Sequence, residues 1–205
     1  MKRIGVLVSG GGTNLQAIIE AVNQKQIDAE IGVVVSNKAG VYALERAAMH
    51  NIPTQVVDHR QYLSVVEFTR AILEVMREFR IDLICLAGFL RIFDRLLVDV
   101  YPNRILNIHP ALLPAFGGKG MYGHHVHEAV IASGTKFSGA TVHLVTAEPD
   151  VGPIVAQGIV PVADDDTPES LAAKVLRIEH QIYPQAIKLV LEERITIDGL
   201  RTRFK

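Results

Sequence analysis

A single cysteine, Cys85, stands in the 205 residues, inside the apolar run Leu83-Ile84-Cys85-Leu86-Ala87. With no second thiol there is no disulfide framework, and Cys85 is expected to be inert core. No run of lysines or arginines occurs; formal charge is -1 and the sequence pI is near 6.7. Nothing therefore draws the surface toward nucleic acid or anionic lipid, and small-molecule partners are expected. No apolar stretch approaches the roughly 18 to 20 residues that span a bilayer. The amino terminus, Met1-Lys2-Arg3 and then residues 4–8, reaches Ser9-Gly10-Gly11-Gly12 after one strand's length. That is too short an apolar core for a signal peptide, so no membrane partner and a cytoplasmic location are expected. Internal repeats, low-complexity segments and linker-like shifts are also missing. The length suits one filled core, and a single domain over residues 1–205 is expected.

What is present alternates. Apolar runs at residues 4–8, 31–35 and 83–87 read as strands, the first two buried, and residues 53–57 as a further strand, separated by helical spacing over residues 14–19, 41–50 and 62–79. Strands alternating with helices predict a parallel sheet with crossovers: an α/β, doubly wound fold whose ligands sit at the carboxyl ends of the strands. Residues 138–145 and 153–162 read as an antiparallel hairpin toward the C-terminal end, giving a mainly parallel, mixed sheet flanked by helices. Asp164-Asp165-Asp166-Thr167-Pro168-Glu169 reads as a helix start, with Thr167 as cap and Pro168 at the first helical position. The last residues, 201–205, read as a basic, peripheral tail.

Two strand ends carry chemistry. Ser9-Gly10-Gly11-Gly12-Thr13-Asn14-Leu15 joins a strand to a helix; glycines let a backbone approach an anion, and free amides at a helix start favour a phosphate. The same string also describes a simple tight turn. With Leu15 where a dinucleotide fingerprint has glycine, and no Walker lysine, dinucleotide and nucleoside-triphosphate sites are rejected. At residues 105–108 a short strand runs into Asn107-Ile108-His109-Pro110. Period-two geometry sends Asn107 and His109 to one side, a carboxamide and an imidazole suited to a carbonyl that gains negative charge. On the residues alone, a strand cap and a hydrogen-bonded core histidine are the readier reading. Asp150 alone reads as turn chemistry, Glu179 and Arg91 as surface charges, and residues 116–123 as a glycine-rich loop that could be a lid or a mobile surface loop. His124, His125, His127 and Glu128 complete no recognised zinc spacing, so no metal is expected.

The longer strings resemble one family. Asn107-Ile108-His109-Pro110-Ala111-Leu112-Leu113-Pro114 resembles the NIHPSLLP signature of the folate-dependent formyltransferases, with Ala111 in the usual Ser position. The glycine loop resembles the SGxGSNL opening of the members acting on glycinamide ribonucleotide. Leu86 to Phe93 resembles LAGFMRIL, residues 141–154 resemble TVHFVxxxxDxGPII, and Glu179-His180-Gln181-Ile182-Tyr183-Pro184 resembles EHxIYP. The resemblance covers nearly the whole chain. It implies transfer of the formyl group of 10-formyltetrahydrofolate, a co-substrate, to the amine of 5'-phosphoribosylglycinamide in purine biosynthesis, without a metal. It implies catalytic roles for Asn107, His109 and Asp150, with Asp150 near His109 raising its pKa. It places the ribonucleotide at Gly12, Thr13, Asn14 and Glu179, and the folate against Leu90, Arg91, Ile92, Phe93 and Asn107. The N-terminal part, roughly residues 1–100, is then the phosphate-binding part, and roughly 83–190 the folate and catalytic part. Where the family often has an arginine near the folate tail this chain has Val65, with Arg60 and Arg70 nearby. A homodimer is compatible with this reading. Alternatives are a 10-formyltetrahydrofolate hydrolase, against which the intact glycine loop and Glu179 argue, and a non-catalytic phosphosugar-binding module.

Overall fold

The computed structural model describes residues 1–205, which cluster into two compact units, Met1–Leu106 and Asn107–Lys205. In the first unit β1 (Lys2–Val8) leads through a glycine loop into α1 (Thr13–Asn23), then β2 (Ala29–Ser36), α2 (Tyr42–Met49), β3 (Thr54–Val56), α3 (Val65–Glu78), β4 (Leu83–Leu86) and α4 (Leu96–Val100). β1 pairs in parallel with β2 and β4, and β2 with β3. Their sequences show why: Val6, Leu7, Val8, Val33, Val34 and Ile84 are fully buried, as expected for strands covered on both faces. Each such side chain contributes about 1.5–3 kcal/mol relative to exposure.

The helix expected from residue 62 starts later. Ser64 is extended and caps α3 by accepting from Glu67 N, while the Glu67 carboxylate accepts from Leu63 N. Residues 59–61 form a separate 3-10 turn under Asp58. From Val65 the helix buries Phe68, Thr69, Ile72, Leu73 and Met76, a stripe at three- and four-residue spacing.

β5 (Ile105–His109) carries the chain into the second unit, followed by α5 (His124–Ser133), β6 (Phe137–Leu144), β7 (Ile154–Pro161), α6 (Pro168–Leu191), β8 (Ile195–Asp198) and β9 (Arg201–Phe204). The strand order is β3-β2-β1-β4-β5-β6-β7, a mixed sheet that is mostly parallel, with β6 and β7 antiparallel. α6 begins as read: Thr167 accepts from Ser170 N, the Ser170 hydroxyl accepts from Thr167 N, and Pro168 opens the helix. It continues through Pro184 to Leu191.

The basic C-terminal residues, mostly exposed, form a strand the sequence reading did not identify. Residues 201–204 are β9, paired antiparallel with β8 around Gly199, whose φ is +59°. The Thr202 hydroxyl donates to Ile154 O at 2.6 Å, fastening the hairpin to β7. No helix is long and apolar enough to cross a membrane.

Candidate active site

In the first unit, β1 ends at Val8, and Ser9 and the glycine loop follow. Gly12 lies in the left-handed region (φ 72°, ψ 35°) immediately before α1. A Cβ there would fall 2.7 Å from Ala43 Cβ and 2.9 Å from Ala43 Cα, so only glycine fits both the conformation and the space. No side chain caps α1 and its first turn holds no acid. A helix start left in that condition favours an anion. Thr13 and Asn14 are its first two residues, Asn14 being buried.

Ser9, which the sequence reading gave no role, joins three segments. Its hydroxyl donates to Asn37 Oδ1 at 2.6 Å and accepts from Leu90 N at 2.8 Å. Further along, Asp94 N donates to the Thr69 hydroxyl at 2.8 Å. Residues 90–93 are thus held at one end by Ser9 and just beyond the other by Thr69. Between these anchors Leu90 and Ile92 stand 51% and 77% exposed, with Arg91 exposed and Phe93 half-buried. Apolar side chains held out on a fixed backbone are what a flat aromatic ligand requires. Val65 is the first residue of α3 and is exposed. Arg60 is committed elsewhere: its guanidinium chelates Asp58 through Nε and Nη2, the latter at 2.7 Å. The Arg60 hydrogen bonds, side chain first and then backbone, hold the Asp58 carboxyl down at about 2.

The second unit assembles the candidate catalytic residues. His109 closes β5 and is 4% exposed. Its Nε2 lies 2.8 Å from Phe116 O, and since a carbonyl only accepts, Nε2 carries the proton. Nδ1 then faces Asp150 Oδ2 at 3.8 Å. The same Oδ2 accepts from Gly118 N at 2.9 Å, and Asp150 adopts φ 57°, a conformation Asp tolerates better than most residues. A Cβ on Gly117 would come 2.5 Å from Leu113 Cδ2 and 3.3 Å from Asp150 Cβ, so a side chain there would push the Leu113 and Asp150 side chains aside.

Burial, the largest influence, pushes the His109 pKa below its ordinary 6.5; Asp150 and the Phe116 carbonyl pull it up, and His143 adds to the depression. The carboxylate therefore acts in the expected direction, but burial outweighs it, and the resting imidazole is neutral at pH 7 rather than cationic. For Asp150 burial alone would raise the carboxyl. The His143 side chain and the Gly118 N–H, together with the nearby imidazole of His109, outweigh it and hold the carboxyl below its ordinary value.

Two further residues escaped the sequence reading. His143, 2% exposed, has Nδ1 at 3.1 Å from Leu144 O and Nε2 at 3.0 Å from Asn107 Nδ2 and 3.5 Å from Asp150 Oδ1. The Leu144 carbonyl places a proton on Nδ1, which leaves Nε2 to accept one N–H of the Asn107 amide. That orients the carboxamide and leaves its second N–H for another acceptor. The register of β6 on β7 shifts between Val142 and His143, a local irregularity of the kind that re-aims a side chain. Thr141, two residues earlier and fully buried, donates to Ala111 O at 2.7 Å and accepts from Leu113 N and Gln157 Nε2, both at 3.0 Å. It braces the turn that follows His109. Thr141→Val keeps the shape and takes the hydroxyl from Ala111 O, Leu113 N and Gln157 Nε2, the last of which keeps Leu113 O, so a loss on the order of 2 kcal/mol is expected in urea unfolding. A loss under about 0.5 kcal/mol would contradict this bracing. The spacing Thr141-x-His143 was a visible signal, since alternate strand residues share a face.

Glu179 sits on α6 and is 7% exposed, so it is not the surface charge that the residue alone suggested. The histidine cluster faces solvent: His124 Nε2 is 3.4 Å from both Glu128 Oε1 and Glu169 Oε1, and His125 Nδ1 is 3.1 Å from Glu128 Oε2. His127 is buried instead. No three His, Cys, Asp or Glu residues are placed to hold a metal ion.

Residues 2–187 match the family model described as Formyl transferase. The chain is 44% identical over 195 residues to the trifunctional purine biosynthetic protein adenosine-3 of Gallus gallus, covering 95% of this chain but 19% of that protein. It is 42% identical to the chloroplastic phosphoribosylglycinamide formyltransferase of Arabidopsis thaliana, over 95% of this chain and 67% of that one. The chain thus spans about a fifth of the first relative's length and two thirds of the second's. The crystal structure of glycinamide ribonucleotide transformylase 1 from Symbiobacterium toebii superposes with a TM-score of 0.95 at 44% identity, over 100% of this chain and 94% of that one. The chain belongs to the formyl transferase family, among the phosphoribosylglycinamide formyltransferases.

Proposed function

We propose that this chain, as one formyltransferase domain, transfers the formyl group of 10-formyltetrahydrofolate to the glycinamide amine of 5'-phosphoribosylglycinamide, a step of purine biosynthesis. The observation that carries the reading is the buried cluster of the second unit, in which one carboxylate lies between two imidazoles and one of these orients a carboxamide. The substrate phosphate is assigned to the amides at Gly12, Thr13 and Asn14, and the ribose hydroxyls to Glu179. The pterin is assigned to the backbone and apolar side chains of Leu90, Arg91, Ile92 and Phe93. With Arg60 chelating Asp58, Arg70, exposed on α3, is the nearby cation left for the folate tail. The domain acts in the cytoplasm on small molecules, not on nucleic acid or membrane, as a monomer or a homodimer.

In this reading the amine lone pair forms a bond to the formyl carbon and the carbonyl π electrons move to oxygen. Asn107 donates its second N–H to that oxygen, and the proton released by the amine reaches His109 through water. A buried, resting-neutral imidazole gains a charge only when negative charge compensates it; here the oxyanion and Asp150 both do. Collapse of the intermediate restores the carbonyl and breaks the bond to N10, which takes the proton back from His109. Holding both substrates in place supplies much of the remaining rate.

Deformylation of a 10-formylfolate by the purified protein, followed spectroscopically with and without the ribonucleotide, tests this. Strict dependence on the ribonucleotide, with formylated product, is expected. Equal turnover without it would make the protein a hydrolase, and no turnover in either case would leave a binding module.

A further inference from the structure

The shape of the glycine loop is set by α2. Ala43 N donates to Gly10 O at 3.1 Å and Arg46 Nε donates to Gly11 O at 2.8 Å. The Arg46 guanidinium also donates through Nη1 to Gln16 Oε1, on the first turn of α1, at 3.2 Å, and lies 4.7 Å over the Tyr42 ring. The only cis peptide in the chain is Leu113–Pro114, so both loop peptides are trans. In a trans peptide the C=O and the following N–H point in opposite directions. With the Gly10 and Gly11 carbonyls turned onto α2, the N–H groups of Gly11 and Gly12 are turned away from it. A Cβ on Gly10 or Gly11 would meet nothing within 4 Å, so the loop's own contacts do not fix its shape. Glycine is the residue with most freedom to lose, and a loop of three would otherwise sample many peptide orientations.

The geometry points to Arg46 as a positioning residue of the phosphate site. Its Nε–H fixes the peptide plane that aims the Gly12 amide, and its Nη1–H couples that plane to the start of α1. The permanent positive charge lies beside the loop, where it favours a dianionic phosphomonoester over the neutral riboside. A planar fork is needed to reach Gly11 O and Gln16 Oε1 together while stacking on Tyr42; a lysine ammonium supplies the charge without that geometry. The inference rests on the phosphate reading of Gly12, Thr13 and Asn14, and deepens it.

The test compares wild type, Arg46→Ala, Arg46→Lys and Arg46→Gln in steady-state formyl transfer. Each is run with phosphoribosylglycinamide and with its dephosphorylated riboside, and thermal melting checks that every variant is folded. Arg46→Ala is expected to raise KM for the phosphorylated substrate on the order of 10- to 100-fold, the scale of one or two charge-assisted hydrogen bonds. Its kcat should stay within about threefold, and KM for the riboside should barely move. Arg46→Lys should recover part of the loss, and Arg46→Gln, with a donor but no charge, should recover less. A folded Arg46→Ala protein whose preference for the phosphorylated substrate equals that of wild type would overturn the proposal. So would equal losses on both substrates, which would mean a structural role only. If Arg46→Ala does not fold, the same criteria apply to the Lys and Gln variants. A wild-type enzyme indifferent to the phosphate would instead overturn the phosphate reading itself, so the two failures are told apart.

Discussion

His109→Ala is expected to lower kcat by a factor on the order of 10²–10⁴, the range in which a positioned acid–base group contributes, with ribonucleotide affinity changed only a few-fold. The substitution removes the group assigned to take a proton from the amine and hand it back. It also leaves the Phe116 carbonyl without its donor and Asp150 without the imidazole at 3.8 Å. Some structural loss therefore accompanies the catalytic one, and denaturant unfolding of the variant measures it separately. Single-turnover formyl transfer at saturating substrates is the decisive measurement. A rate within tenfold of wild type in a folded variant would remove His109 from the chemistry and return it to the role of a hydrogen-bonded core histidine.

The second large effect is expected from Asp150→Asn, with kcat reduced on the order of 10²–10³, as when one preorganised electrostatic partner is removed. The new side chain keeps an oxygen for Gly118 N but loses the charge. Burial already depresses the His109 pKa, and Asp150 is the first of the influences that oppose it. Without the carboxylate the imidazole pKa falls further, so the proton it must hold during reaction is held less well at any given pH. In the proposed step the resting neutral imidazole accepts the proton, so kcat/KM climbs as pH rises through the His109 pKa of the free enzyme. In the variant that ascending limb moves to lower pH, while ribonucleotide binding stays nearly intact. Profiles of kcat/KM against pH for the two proteins check this, and superimposable profiles would remove Asp150 from the mechanism.

Much of the fold was legible because buried parallel strands write continuous apolar runs. The strands at residues 4–8, 31–35 and 83–87 were readable for that reason, and α6 for its Thr167-Pro168 start. The final hairpin was missed although Asp198-Gly199 stood between alternating residues 195–197 and 201–204. The arginines at Arg201 and Arg203 read as a solvated tail, and an exposed two-stranded ribbon has no buried face to betray it. The start of α3 was set too early, because an apolar stripe says little about the cap and Ser64 decides the first turn. Among the site residues, Asn107 and His109 were placed on one side by strand period alone. His143 was passed over because a histidine between apolar neighbours looks the same whether it packs or orients another side chain.

By itself the sequence determined the alternation of strand and helix, a glycine loop between a strand and a helix, and a carboxamide and an imidazole on one side of a strand. These follow from local periodicity and side-chain chemistry, which neighbours in the chain are enough to define. The tertiary structure alone decided how the site is wired: Asp150, 41 residues beyond His109 (150 − 109), at 3.8 Å from it, and His143 between Asn107 and Asp150. It also decided the charge on His109, because a pKa depends on burial and on the distances to charges. Those are properties of the folded packing, and no window of sequence contains them.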